Sequence, residues 1–107
     1  MGWSEKKPWR PCAPSVFIHL VLFHIQKKNV RTYKADCKIW AKEAAKRPGF
    51  LGCHTLLRTN EAHQCASFYL WRSETHHRRF MAKHHDRLVS LSRCPVKVLG
   101  YFNFKTI

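Results

Sequence analysis

The stretch Gln64–Leu91, QCASFYLWRSETHHRRFMAKHHDRLVSL, organises this chain: a strand runs directly into a helix. Gln64–Trp71 is rich in β-formers, with Ala66, Phe68 and Leu70 on one face and Cys65, Ser67, Tyr69 and Trp71 on the other. Arg72-Ser73 is the turn. Ser73 suits an N-cap, because its hydroxyl can accept from a free amide of the first helical turn. Glu74 adds negative charge at the positive end of the helix dipole. His77, Phe80, Met81, His84 and Leu88 then recur at three- and four-residue spacings, which sets them on one helical face. Trp71, Phe80, Met81 and several histidines are thereby brought together, and any chemistry is expected there.

The remaining elements fall into place around this pair. Val16–Gln26 is a continuous apolar run, the mark of a strand covered on both faces. Phe17, His19, Val21, Phe23 and Ile25 share one side of it. After Lys27-Lys28-Asn29, a helix is expected over 30–47 with Tyr33, Cys37, Trp40, Ala41 and Ala44 as its apolar stripe. Asp36, Lys38, Lys42, Glu43 and Lys46 are assigned to its solvent side. Pro48-Gly49 stops it. A second strand covers 50–59, and Asn60–His63 is a loop of hairpin length. Arg93-Cys94-Pro95 breaks the chain before a last strand from Val96 to Lys105. There Val98, Phe102 and Phe104 alternate with Leu99 and Tyr101, and Gly100 marks a bulge or a close backbone approach. The order β-α-β-β-α-β predicts a ferredoxin-like α+β domain over 16–107: a four-stranded antiparallel sheet with two helices on one face. Residues 1–15, with Pro8, Pro11 and Pro14, read as an extended or disordered arm.

Composition narrows the partners and the compartment. Twenty Lys and Arg against six Asp and Glu give a formal charge of +14, which favours polyanions or a small anionic ligand. Five cysteines without a Cys-x-x-Cys pair make neither a zinc ribbon nor a disulfide framework, and point to a reducing compartment. The basic start followed by VFIHLVLFHI imitates a signal peptide, but His19 and His24 interrupt the run and Gln26-Lys27-Lys28 replaces a cleavage site. An untargeted cytoplasmic protein is expected. No metal is expected either: His76-His77 and His84-His85 are adjacent pairs, whose members point about 100° apart on a helix. His77 and His84 share a face, yet no carboxylate or cysteine completes a ligand set.

Two families share this element order. The RNA-recognition module needs aromatics at alternate positions of its third strand, and His63–Phe68 does not supply them. The Pro-Gly-Phe-Leu-Gly turn at Pro48–Gly52, the third strand ending in Trp71 and the helix sequence RFMAKHHDRL (Arg79–Leu88) resemble the antibiotic-biosynthesis-monooxygenase-like dimeric α/β barrels instead. Within these, the combination is similar to the YdbC-type branch. The resemblance covers Val16 to Phe104. It implies a homodimer whose sheets pack face to face, and a pocket in each protomer between sheet and helices. Some members oxidise polycyclic phenols with molecular oxygen and no metal or flavin, so no cofactor is implied. Others degrade haem, using an Asn on the first strand and a Trp and a His on the second helix. Here those positions read Val21 or Leu22, Phe80 and Ser90, which rejects haem degradation.

The expected function is therefore small-molecule binding with cofactor-independent monooxygenation of an aromatic or phenolic compound. Phe17, Trp71, Phe80 and Met81 would line the pocket, and His19, His54 and His84 are candidate bases, since histidine titrates near neutrality. An aromatic acid or phenolate would keep its charge near His84, His85 or Arg87 at the mouth. Taken singly, Trp71 is also a residue that builds cores, and a histidine inside a strand is commonly a hydrogen-bonded core group. The alternative is a non-catalytic basic protein that binds nucleic acid through Lys34, Lys38, Lys42 and Lys46, with Arg72, Arg78 and Arg79.

Overall fold

The structure, a computed structural model, describes residues 15–107, so nearly all of the expected arm lies outside the described residues. Six main elements follow in the expected order: β1 Phe17–His24, α1 Val30–Ala44, β2 Phe50–Leu57, β3 Gln64–Trp71, α2 Glu74–Leu91 and β4 Lys97–Lys105. A short 3-10 turn, Lys27–Asn29, leads into α1. The four strands form one sheet in the order β2-β3-β1-β4, with every neighbouring pair antiparallel. This is the ferredoxin-like α+β arrangement. Among the described residues no helix is long and apolar enough to cross a membrane.

Local chemistry sets the element ends. The Ser73 hydroxyl accepts from the His76 amide at 3.3 Å and also lies 2.7 Å from His76 Nδ1, capping α2 as expected. α1 ends earlier than expected, at Ala44, and tightens through i→i−3 bonds from Lys46 to Glu43 and from Arg47 to Ala44. Gly49 follows at φ +85°, where an L-residue is strained, and a Cβ there would overlap the His76 ring. Its carbonyl accepts from Arg72 N at 2.7 Å, so one glycine joins the start of β2 to the β3–α2 turn.

Strand parity decides which side chains meet the helices. Phe17, His19 and Val21 of β1 and Cys65, Ser67 and Trp71 of β3 are buried on the helix side. Phe17, Ala44, Trp71, Phe80 and Leu88 make one core cluster; Ile25, Tyr33, Cys65 and Cys94 make another. On β4 the pairing shifts between Leu22↔Gly100 and Phe23↔Val98, leaving Leu99 as an extra residue. The bulge beside Gly100 moves Val98 to the helix side with Tyr101, away from Phe102 and Phe104, and so corrects the simple alternation. The far side of the sheet is apolar and uncovered in the single chain: Leu20 and Leu22 stand beside Phe102 and Phe104, and the last is 56% exposed.

Asp36 also departs from expectation. It is buried, 8% exposed, and its carboxylate accepts from Arg93 N at 3.0 Å and Cys94 N at 2.8 Å. A charge read as solvated instead ties the α2–β4 connection to α1.

Candidate active site

Sheet and helices do not close completely on each other. Between them lies a cavity of about 410 Å³, walled by β1, β3, β4, both helices and the connection after α2. Its walls are largely aromatic and aliphatic, including Phe23, Trp40, Tyr69, Trp71, Phe80 and Met81. Among the described residues no lysine or arginine lines it. Val98 and Tyr101, on the cavity side of β4, remain 40% and 63% exposed, so the opening runs along that strand.

Two polar groups stand out in this apolar wall. His19 comes from the middle of β1, with Asn103 of β4 directly opposite in register. Its Nδ1 lies 2.6 Å from Asn103 Oδ1. An amide oxygen accepts, so Nδ1 carries the hydrogen and Nε2 bears the lone pair of a neutral imidazole. Nε2 is buried and has no hydrogen-bond partner among the described residues. The Trp71 indole Nε1, a donor, is likewise buried and unpaired. A buried polar atom costs stability unless water or a ligand meets it, and Arg47 Nε and His84 Nε2, outside the cavity, are in the same position.

His77 of α2 packs on His19 with ring centroids 4.2 Å apart. Burial, and next the neighbouring His19, lowers its pKa to about 4. Burial also pulls His19 below the ordinary imidazole value, against the raising effect of the Asn103 hydrogen bond. Both rings are neutral at pH 7. Further along, Tyr33 OH and Ser67 Oγ lie 2.6 Å apart, with Cys37 Sγ 3.7 Å from the same Ser67 oxygen. Burial pushes the Tyr33 phenol upward, which keeps it a neutral hydrogen-bonding group.

The depressed histidines imply a pH-dependent stability. Below about pH 6.5 the unfolded chain takes up protons that folded His77 refuses until about pH 4. Stability should therefore fall between pH 6.5 and 4.5, by on the order of 2 kcal/mol after allowance for partial solvent screening. Urea denaturation at the two pH values measures this, and His77→Leu should remove most of the difference. An unchanged midpoint in the parent protein would refute the assignment.

Of the residues expected at the site, His19, Trp71, Phe80, Met81 and His85 do line the cavity. The others stand elsewhere. Phe17 is buried behind it, against His77 at 5.3 Å. His54 pairs with Phe68 on the uncovered side of the sheet, because its strand parity is opposite to that of Cys53. His84 packs on Phe80 and meets Arg87 at 3.0 Å, while Arg87 also reaches Glu43 at 3.4 Å. These two form a polar flank between the helices and not a cavity mouth. The sequence does not single out Asn103 or the Tyr33–Ser67 pair, and it sets His77 on the correct helical face without assigning it to the site. Cross-strand register, invisible without the sheet order, is what reveals Asn103. Among the described residues no three His, Cys, Asp or Glu side chains converge as a metal site.

No protein-family model and no curated protein matches the sequence. Solved structures do share the fold. MupZ from Pseudomonas fluorescens superposes with a TM-score of 0.69 at 12% identity, over 82% of this chain and 69% of its own. SnoaB, a cofactor-independent oxygenase from Streptomyces nogalater, gives 0.64 at 15% identity, over 84% and 89%. A proposed antibiotic biosynthesis monooxygenase from Chloroflexus aurantiacus gives 0.63 at 11%, over 86% and 93%. At such identities the likeness establishes the fold and leaves activity to the site.

Proposed function

We propose that the protein belongs to the antibiotic-biosynthesis-monooxygenase-like group, with its Pro48–Gly52 and Arg79–Leu88 motifs pointing to the YdbC-type branch. In this reading it is a cytoplasmic homodimer that oxidises a phenolic or quinol-type aromatic compound with molecular oxygen, without metal or organic cofactor. The observation that carries the reading is His19: its Nδ1 is bonded to Asn103, its Nε2 has no partner among the described residues, and its ring lines an aromatic cavity. Such a ring is a general base already in its neutral form at pH 7.

The chemistry follows from that geometry. The substrate enters as a neutral phenol, since among the described residues no lysine or arginine lines the cavity to hold an anion, and this replaces the expected contact with Arg87. His19 Nε2 takes the phenolic proton, and the electron-rich anion reacts with oxygen. At an activated ring methylene, both hydrogens leave the carbon and one atom of dioxygen becomes its carbonyl oxygen. The second oxygen atom departs with the two hydrogens as water. The carbon supplies all four electrons, no external reductant is needed, and His19 returns its proton to the phenolate oxygen of the product, which regenerates the base. The protein contributes orientation, a proton acceptor and exclusion of water. In this reading the Tyr33–Ser67 pair, bonded to each other at 2.6 Å, hydrogen-bonds a second oxygen of the ring system. An oxygen electrode with a panel of phenols, quinols and anthrone-type compounds tests this. Turnover with at least one is expected; no uptake and no thermal stabilisation by any of them would overturn it.

The uncovered apolar face of the sheet supports the homodimer. Leu20, Leu22, Phe102 and Phe104 cover too much apolar surface to stay in water unpartnered. The parent protein is expected to be a dimer by light scattering, and Leu20→Glu a monomer. A monomeric parent would remove the dimer from the reading.

A further inference from the structure

The cavity leaves the charge of +14 unexplained, and α1 shows how part of it is arranged. Arg31, Lys34, Lys38 and Lys42 are all exposed. At 100° per residue they fall within an arc of roughly 80°. They form no salt bridge with any described residue. The two acids of the helix lie well outside that arc. Asp36 turns inward to the Arg93 and Cys94 amides, and Glu43 is held by Arg47 and Arg87 between the helices. Like charges at i,i+4 weaken a helix, so this stripe opposes the stability of the element that carries it.

We infer that the outer face of α1 is a docking surface for the sugar–phosphate backbone of duplex nucleic acid. Arg31 to Lys42 spans about 16 Å of helix, the axial length of about five phosphates on one strand. Three of the four cations are lysines, flexible point charges that suit phosphate oxygens, and phosphate contacts carry no sequence information. Binding is therefore independent of sequence. A membrane surface fits less well. An interfacial helix turns its apolar side to the lipid, whereas Tyr33 and Ala44 of α1 are buried inside the protein. This surface lies apart from the cavity and does not rest on the oxygenase reading.

The test is a salt series with a fluorescent 24-base-pair duplex of arbitrary sequence. Four neutralised phosphates give a slope of log K against log salt of about −3.5. The triple variant Lys34→Gln, Lys38→Gln, Lys42→Gln keeps good helix formers, so circular dichroism should be unchanged. Its slope should fall to about −1, with affinity at 50 mM salt lowered more than about 100-fold. An unrelated duplex sequence should bind equally. Three results would overturn the inference: no duplex binding at 50 mM salt, unchanged binding by the triple variant, or displacement of the duplex by phosphatidylserine vesicles at equal anion concentration. Unchanged binding by the variant would assign contact to other cations, such as Lys6, Lys7 and Arg10.

Discussion

His19→Gln is expected to lower oxygen uptake on a phenolic substrate by about 10²–10⁴-fold, the range over which a positioned general base contributes. Glutamine has a similar reach and can still hydrogen-bond Asn103, so folding and cavity shape should survive. It lacks a basic lone pair, and that alone is removed. The loss should therefore appear in kcat, with KM nearly constant, because substrate contacts with Trp71 and Phe80 persist. Asn103→Ala separates positioning from chemistry. The Asn103 hydrogen bond raises the His19 pKa and fixes its tautomer. Without it the pKa falls further, and the acid limb of the pH–rate profile should move to lower pH while the maximal rate also drops. A purely structural asparagine would reduce rate or stability without moving that limb. Unchanged uptake in His19→Gln would remove His19 as the base, whatever the substrate proves to be.

The sequence carried the fold at its punctuation marks. Ser73 and Glu74 could be read as a helix start, and Pro48-Gly49 as a stop, because capping and glycine conformation are local chemistry. β3 was legible to the residue, since Gln64–Trp71 is bounded by a loop on one side and a cap on the other. The site was legible only in part, and the reason is the sheet. A histidine's face within a strand follows from parity, but the choice between helix side and open side requires the neighbouring strand. His19 and His54 look alike in sequence, yet they point to opposite faces of one sheet. On α2 the helical period placed Phe80 and Met81 correctly, but it could not distinguish the cavity side from the α1 side, where Arg87 meets both His84 and Glu43. Asn103 depends on a pairing with a residue 84 positions away, which only the sheet order supplies.

Asp36 shows the same limit acting on stability, and it yields the largest expected loss of folding free energy. Residues 33 and 36 are one i,i+3 step apart, so Asp36 lies on the apolar stripe begun by Tyr33; only its charge argued for solvent. The connection after α2 needs somewhere to place its backbone donors, and a buried N–H without a partner costs about 1–3 kcal/mol. Both carboxylate oxygens meet this need, accepting from Arg93 N at 3.1 and 3.0 Å and from Cys94 N at 2.8 Å. Hydrogen bonds to a charged acceptor are about twice as strong as neutral ones. Asp36→Ala should therefore destabilise the protein by about 3–5 kcal/mol, a large share of a domain's usual 5–15 kcal/mol. Asp36→Asn keeps one carbonyl oxygen for the Cys94 amide and should lose about half as much. Amide hydrogen exchange would locate the effect, with protection at Arg93 and Cys94 lost before that of β1. Should Asp36→Ala unfold at the same urea midpoint as the parent, the connection would be held by Cys94 packing against Ile25 and Tyr33, and the carboxylate would be incidental to it.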